Sequence, residues 1–275
     1  MNGKASNHPR RMLSLASLWL ALIGGGALSA DLWPLADPSA MALGDRRALP
    51  SISHPLGTDS FGRDLLSRVL YGGRISLAVA VFCPLLGLLV GGTLGVLAAY
   101  LGGWPERIAR LFTDTLLALP ALLIAMLLAV SIGGSVTTLV WTLGLLSTPV
   151  FARVARVRTR VIAQLPYVDA ARSLGASHLT VLRHHVLPNV LPPLLTLCTL
   201  VAAVVVVLEG ALGYLGLGVS PPTPSWGAMI AEGRASLETR PHVCLAPASA
   251  MVLTVMALNL LGDAANAPHG QARRA

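Results

Sequence analysis

The feature that most constrains this chain is a series of apolar runs, each long enough to cross the hydrocarbon core of a membrane. About 18 consecutive apolar residues suffice for a spanning helix. Six such runs occur, at approximately Met12–Ala30, Ile75–Leu101, Leu111–Ile132, Val136–Val154, Leu191–Leu217 and Val243–Gly262. The alternating pattern of a membrane β-barrel is absent from the sequence. The sequence therefore predicts an all-α, polytopic transmembrane helical protein with about six spans.

The charge pattern agrees with a membrane protein. Only 12% of the residues are charged, against about 25% in soluble domains. The net charge is +8, which in this setting predicts basic loops that face anionic membrane lipid and a protein partner, and not nucleic acid. The only Lys is Lys4, which lacks the glycine-rich surroundings of a phosphate-binding loop. We therefore expect any ATPase site to lie on another chain.

No chemistry of its own is indicated for this chain. Cys83, Cys198 and Cys244 are far apart and form no CxxC motif, so neither a zinc site nor a disulfide framework is expected. His184 and His185 are adjacent, and adjacent helical residues point apart. We therefore expect no metal, no bound cofactor and no catalytic residue.

Orientation follows from the arginines. The densest basic cluster lies between Arg153 and Arg183, and the excess of positive charge predicts that this region is cytoplasmic. Counting spans outward from it places both termini in the cytoplasm and makes Asp31–Arg74 external. The external segment also holds five arginines, which conflicts with the rule, but the Arg153–Arg183 cluster is denser.

Two external stretches have recognisable patterns. In the first, Leu65, Leu66, Val69 and Leu70 share a helical face, and polar residues take the other positions, namely Arg63, Asp64, Ser67 and Arg68. This pattern predicts an interfacial amphipathic helix that leads into the second span. The second stretch, Val219–His242, contains SPPTPSWG. Its prolines predict irregular structure, and Trp226 suits a membrane surface.

A polar, helix-prone stretch interrupts the apolar sequence at Asp169–Asn189. Its apolar residues repeat at steps of three and four and define one face: Val168, Ala171, Gly175, Leu179, Leu182 and Val186. Gly175 weakens a helix by about 1 kcal/mol, and Ser177 is suited to cap a new one. Two short helices and one bent helix fit equally well. The pattern alone leaves a membrane-surface helix and a partner-docking helix open.

This stretch resembles the coupling motif of ABC importer membrane subunits, which reads E-A-A, three residues, Gly, nine residues, Ile, any residue, Leu-Pro. The matching positions here are Asp169, Ala170, Ala171, Gly175, His185, Leu187 and Pro188. Asp replaces Glu and His replaces Ile, whereas the spacing is intact. The resemblance implies that residues 166–188 couple the chain to an ATP-binding subunit, through Asp169, Ala170, Ala171, Gly175, Leu187 and Pro188.

Three further stretches narrow the resemblance. HPLGTDSFGRDLLSRVLYGGRISL (54–77), LEGALGYLGLGVSPPTPSWGAMI (208–230) and VMALNLLGD (255–263) resemble the second, C-type permease subunit of dipeptide, oligopeptide and nickel importers. This implies a type I, MetI-like transmembrane domain in a bacterial inner membrane. The tail AANAPHGQARRA departs from the family, which continues there with an Arg-Asp…Asp-Pro segment.

The resemblance also implies partners and a substrate class. The partners are a second permease subunit in a heterodimer, two cytoplasmic ATP-binding subunits, and a periplasmic or lipid-anchored substrate-binding protein. The substrate would be di- or oligopeptide, with nickel or a metal chelate as the alternative. An ion-coupled secondary transporter is the rival from another class.

Glu209 is the only carboxylate well inside a predicted span. An intramembrane acid is by default a functional candidate. No second acid or His shares its span, so a helix-packing or gate-lining role is favoured over a proton relay.

The predicted organisation has five parts. Residues 1–11 form a cytoplasmic N-terminus, 12–30 an N-terminal transmembrane helix, 31–74 a periplasmic segment with the amphipathic helix, 75–263 the importer transmembrane domain and 264–275 a cytoplasmic tail. The run Met12–Ala30 follows three basic residues, as in a signal peptide. It exceeds the usual signal core of about 7–15 residues, so we expect it to remain attached.

Overall fold

The computed structural model describes residues 8–266, and almost every ordered element in this range is helical. The only strand-like pairing among these residues is an isolated bridge between Thr58 and Asp64. The prediction of an all-α protein is therefore confirmed. The helices are α1 (His8–Ser29), α2 (Leu65–Gly87), α3 (Thr93–Leu101), α4 (Gly103–Ala118), α5 (Ala121–Ile132), α6 (Val136–Ala163), α7 (Pro166–Ser173), α8 (His178–Val181), α9 (Leu187–Tyr214), α10 (Trp226–Gly233) and α11 (His242–Asn266). Residues 1–7 and 267–275, which include most of the predicted terminal segments, lie outside this range.

Two of the spans are composite rods. A π-helical turn, Leu88–Gly92, joins α2 to α3, and a second one, Leu182–Val186, joins α8 to α9. Each rod is 37 residues long and, at about 1.5 Å per residue, exceeds the hydrocarbon thickness of about 30 Å. Together with α1, α6 and α11 they give five helices in the described range that are long and apolar enough to cross a membrane.

The third predicted span is broken. The sequence favoured one helix over Leu111–Ile132, but α4 and α5 meet at an angle of 86°. Pro120 has no N–H to donate, and its ring disfavours helical backbone in the residue before it. Leu119 accordingly takes an extended conformation. Taken as one bent pair, α4 and α5 bring the number of candidate spans to six.

Contacts near the ends of the spans show which ends lie on the same face of the molecule. On one face, here called the basic face, Arg160 pairs with Glu106 at 2.8 Å and the Tyr100 hydroxyl donates to the carbonyl of His178 at 3.2 Å. On the second, the long-loop face, the amide of Ser220 donates to the carbonyl of Gly134 at 3.2 Å. The spans therefore alternate in direction as the sequence predicts. Which face is cytoplasmic remains a prediction.

A row of small residues sets the central packing. Gly87, Gly91 and Gly95 recur every four residues along the α2–α3 rod and lie directly against α6. A methyl group at Gly91 would collide with the carbonyl of Thr148, and one at Gly95 with the carbonyl of Ala152. Small residues at this spacing let two helices approach backbone to backbone, which is a main source of attraction between helices in lipid. The buried core continues from this contact to α9.

The structure corrects two expectations about the long-loop face. No separate amphipathic helix precedes the second span: α2 itself starts at Leu65, where the Asp64 carboxylate accepts a hydrogen bond from the Ser67 amide at 2.8 Å. Ser67 and Arg68 are buried because other segments cover this side of α2. Trp226 is also fully buried, and it begins α10, a helix that the prolines of the stretch Val219–His242 did not indicate.

Labelling from outside the cell tests the predicted orientation. Ser177 on the basic face and Thr223 on the long-loop face are exposed, so a cysteine at either site would be reactive wherever water reaches it. In variants without Cys83, Cys198 and Cys244, we expect an impermeant maleimide to label position 223 in intact spheroplasts and position 177 only after permeabilisation, because the arginines favour a cytoplasmic basic face. The opposite pattern would invert the topology.

Candidate functional site

The segment 166–188 forms a helix–turn–helix unit on the basic face. α7 begins with Pro166, whose fixed backbone angle suits the first helical turn. Asp169 lies in that first turn, where a negative charge is favoured by the helix dipole. α8 follows after a short turn and runs through the π-helical turn into α9, so the unit is directly continuous with a membrane span.

The turn between α7 and α8 depends on Gly175. This residue has φ +84°, a conformation that costs a side-chain-bearing residue about 1–2 kcal/mol. The amide of Gly175 donates to the carbonyl of Arg172, and the amide of Ala176 to that of Ala171, both at 3.0 Å. These two bonds form a Schellman motif that satisfies the last carbonyls of α7. Ser177 then caps α8 by accepting from the Thr180 amide at 3.2 Å. Of the two arrangements left open by the sequence, the structure has two short helices.

The turn also changes which apolar residues are buried. Val168, Val181 and Val186 are fully buried, whereas the single-helix pattern placed Leu179 on the inner face. Leu179 is instead 73% exposed and Leu174 is 89% exposed. The left-handed residue restarts the helical phase, so spacing counted across Gly175 misplaces Leu179. The π-helical turn Leu182–Val186 shifts the phase again, and Val186 is buried as the spacing predicts. Two large apolar side chains are thus exposed to solvent on the basic face, and the periodicity of the sequence did not predict the exposure of either.

Aromatic and amide side chains fasten the unit to the spans. Tyr100, at the end of α3, contacts the start of α8 through its hydrogen bond to His178. Tyr167 of α7 donates to the carbonyl of His185 at 3.5 Å, and the Asn189 amide donates to the same carbonyl at 2.8 Å. Because α3 and α9 are both held, a displacement of the unit would carry the ends of two spans with it.

The residues of the motif lie within this unit. Asp169, Ala170 and Gly175 are exposed, and Ala171 is half-buried. The Asp169 carboxylate forms an ion pair with Arg172 at 3.2 Å. Leu187 and Pro188 are exposed at the start of α9, and His185, at the motif's Ile position, is half-buried beside the Tyr167 ring. The structure therefore joins the motif residues in one compact unit on one face.

Glu209 lies elsewhere, near the long-loop end of α9. It is fully buried, and the Ser76 hydroxyl of α2 donates to its Oε2 at 2.8 Å. Its Oε1 has no hydrogen-bond partner in the part of the chain described here. The next residue, Gly210, lies against the backbone of Gly227 in α10. Glu209 thus marks the place where α2, α9 and α10 meet, as a helix-packing role requires.

An apolar groove of about 430 Å³ runs along the α4–α5 bend, between α6 and α9. Ser147 supplies the only hydroxyl of its lining. The sequence does not single out this groove, because its lining comes from four helices whose arrangement depends on the bend at Pro120. The lining residues are Leu116, Leu117, Leu119, Ala121, Leu143, Leu146, Ser147, Val150, Leu197, Leu200, Val201, Val204, Val205 and Leu208.

Known proteins resemble this chain in sequence and in fold. Residues 91–273 match the family described as "Binding-protein-dependent transport system inner membrane component". The chain is 42% identical over 214 residues to the glutathione transport system permease protein GsiD of Pectobacterium atrosepticum. The aligned region covers 78% of this chain and 71% of the relative. It is equally identical, with the same coverage, to GsiD of Escherichia coli O157:H7.

A solved structure agrees in fold. A chain of the MetNI methionine ABC transporter in inward-facing conformations superposes with a TM-score of 0.58 at 17% identity, covering 73% of this chain and 95% of that chain.

Substitutions at Glu209 test its packing role. Glu209→Gln keeps an oxygen that can accept from Ser76, so we expect the thermal unfolding midpoint of the purified protein to stay the same or rise. Glu209→Ala removes that acceptor and leaves a cavity between three helices, which should destabilise the protein by about 2–4 kcal/mol. Equal midpoints for Glu209→Ala and the unchanged protein would argue against the packing role.

Proposed function

Because the chain belongs to the family of binding-protein-dependent transport system inner membrane components, we propose that it forms half of the translocation pathway of an ATP-driven importer of di- or oligopeptides. The chain is a multi-pass inner-membrane permease subunit of the dipeptide/oligopeptide/nickel group of ABC importers. The observation that carries the proposal is the 42% identity to glutathione permeases over most of the chain.

Peptide is the favoured substrate class. Glutathione, named in the relatives, is a short peptide. The groove beside α9 presents hydrocarbon and one hydroxyl, a lining that lets a hydrated peptide pass without holding it by its charged ends. A nickel ion or metal chelate is the alternative. The same lining offers no imidazole, thiol or carboxylate, the groups that bind transition metals, so it favours peptide over free metal.

The partner for the basic face is an ATP-binding subunit, and two such subunits would serve the assembled importer. Leu174 and Leu179 are large apolar side chains on a face rich in arginine, and they contact little else in the described chain. Exposed apolar side chains with a polar rim are typical of protein–protein contact sites. Asp169, exposed beside them, supplies a carboxylate for a partner cation.

The remaining partners follow from the same assembly. A second permease subunit, in a heterodimer, would cover the groove formed by α4, α5, α6 and α9 and complete the pathway. A periplasmic or lipid-anchored binding protein would deliver substrate to the long-loop face. This assignment rests on the family and on the groove being open along one side of a single chain.

The mechanism proposed is alternating access. ATP-driven closure of the ATP-binding subunits would displace the unit 166–188. The hydrogen bond of Tyr100 would pass that displacement to α3, and the continuous helix would pass it to α9. The spans then exchange an inward-open for an outward-open arrangement, which requires the partners to bind the two states with different affinity. In this scheme the present chain transmits movement, and ATP hydrolysis belongs to the separate subunits.

The rival is an ion-coupled secondary transporter. Such a carrier needs an ionisable group that is loaded and released near mid-membrane. Glu209 is fully buried against Ser76 and lies near one end of its helix, which favours packing. Uptake retained by Glu209→Gln and abolished by removal of the ATP-binding subunits would support the importer. The reverse result would support the carrier.

Gly175→Val tests the docking role of segment 166–188. Nothing lies within 4 Å of a methyl group added at Gly175, so the substitution creates no clash. It does place a β-branched residue at positive φ, which should unwind the Schellman turn and misplace α8. We expect normal membrane levels, at least a tenfold loss of glutathione uptake and weaker recovery of co-expressed ATP-binding subunits in a pull-down.

Gly133→Val is the matched control. Gly133 also has positive φ, +98°, and open space around it, but it lies on the long-loop face. The same strain there should leave the recovery of ATP-binding subunits unchanged. Leu174→Glu is a second arm, because this side chain is 89% exposed and its replacement cannot disturb the core. Full recovery of ATP-binding subunits by both Gly175→Val and Leu174→Glu would refute the docking role.

A further inference from the structure

Four charged side chains meet beneath the surface of the long-loop face. The Arg63 guanidinium pairs with Asp59 at 2.5 Å and with Glu232 at 2.6 Å. Arg68 pairs with the same Glu232 oxygen at 3.3 Å and lies 3.4 Å from Asp59. We call these four residues the ion cluster. Its members come from the loop before α2, from the first turn of α2 and from the end of α10.

Burial makes the cluster costly to break. The side chains of Asp59, Arg63 and Arg68 are between 2% and 7% exposed, whereas that of Glu232 is 33% exposed. A buried charge that loses its partner is strongly unfavourable. Both arginines converge on Oε2 of Glu232, and Asp59 is the second carboxylate beside the same two cations. Loss of the Glu232 charge would therefore leave two buried cations facing one anion. Glu232 is also the member that water can reach, and it is therefore the point at which the cluster can open.

The cluster fastens one end of α10, and Trp226 fastens the other. The Trp226 indole donates to the carbonyl of Val69 in α2 at 2.9 Å. Both attachments therefore reach the first turns of α2. Between them, Gly227 lies against the backbone of Gly210 in α9. α10 also packs along α11, so three spans surround it.

The position of α10 relates the cluster to the groove. Leu208 is the last residue of α9 that lines the groove, and Gly210, two residues further on, touches α10. Because α10 touches α9 at Gly210, a shift of α10 away from α2 would act directly on the end of α9 beside the groove. The hydrogen bonds of Asp59 to the amides of Phe61 and Arg63, at 2.8 and 3.0 Å, hold the loop before α2 in the shape that receives α10.

We propose that the ion cluster is a latch between the loop before α2 and α10, and that its opening at Glu232 lets α10 separate from α2 at the long-loop mouth of the groove. Glu232 and Arg63 are then positioning residues, which act through α10. The inference rests on the proposed function in one respect: in an importer, this mouth is where substrate enters.

A buried reporter on α10 tests the latch in the purified full-length chain. Met229 is 2% exposed, so a cysteine there reacts with maleimide only when α10 moves. With Cys83, Cys198 and Cys244 replaced by alanine, we expect Glu232→Gln to speed labelling of Met229→Cys by about fivefold or more, the lower end of the usual range for coupled states. Glu238→Gln is the matched control, since Glu238 is exposed and forms none of the ion pairs found among residues 8–266.

A second set of variants keeps Met229 and native Cys83, and only Cys198 and Cys244 are replaced by alanine. Cys83 is then the second reporter, because it is fully buried in the central core. Faster labelling at position 229 with unchanged labelling of Cys83 supports a latch. Equal rates in Glu232→Gln and Glu238→Gln overturn it, and so does faster labelling at both reporters, which would make the cluster a support of the whole fold. The assay needs neither substrate nor ATP-binding subunits, so its outcome is separate from the uptake assays that test the proposed function.

Discussion

The contact between the α2–α3 rod and α6 is the interaction on which the rest of the structure depends. In lipid, helices gain little from hiding apolar surface, so close packing must hold them together. The glycines at 87, 91 and 95 supply it by bringing the rod within backbone contact of α6. α6 then runs on to α7 on the basic face, and the rod reaches α8 through Tyr100. One tight helix pair therefore fixes where the unit 166–188 is held.

The two faces of the molecule differ in how their side chains are used: the long-loop face has buried polar contacts within the chain, and the basic face has exposed apolar side chains. On the long-loop face, charges are buried and paired with one another, and an indole donates to a helix carbonyl. Such contacts are directional and hold elements in one geometry. On the basic face, Leu174 and Leu179 are exposed, and Arg172 and Arg183 are exposed in the same unit. That arrangement suits a surface whose stability is completed by another chain, as an importer permease requires for its ATP-binding subunits.

The sequence predicted features that depend on neighbours in the chain. The apolar runs, the Ser177 cap and the turn at Gly175 are local, and each was readable from residue type and spacing. The bend at Pro120 was also local, yet the unbroken apolar run outweighed it. Leu179 was assigned to the wrong face because the spacing was counted through a left-handed residue. The burial of Arg68 depends on α10, and that of Trp226 depends on α2. Each contact joins residues more than 150 positions apart, and no local pattern encodes it.

The sequence of this chain identifies its family more clearly than its substrate, because the two depend on residues under different physical constraints. Residues that hold spans together or meet an ATP-binding subunit need specific shapes, such as glycine at a backbone crossing or at positive φ. Residues that line a path need only avoid holding what passes. The groove that we propose as part of the path has such a lining, because it consists mainly of leucine, valine and alanine. Selectivity in such a system is best placed on the binding protein, which holds the substrate before it enters the membrane.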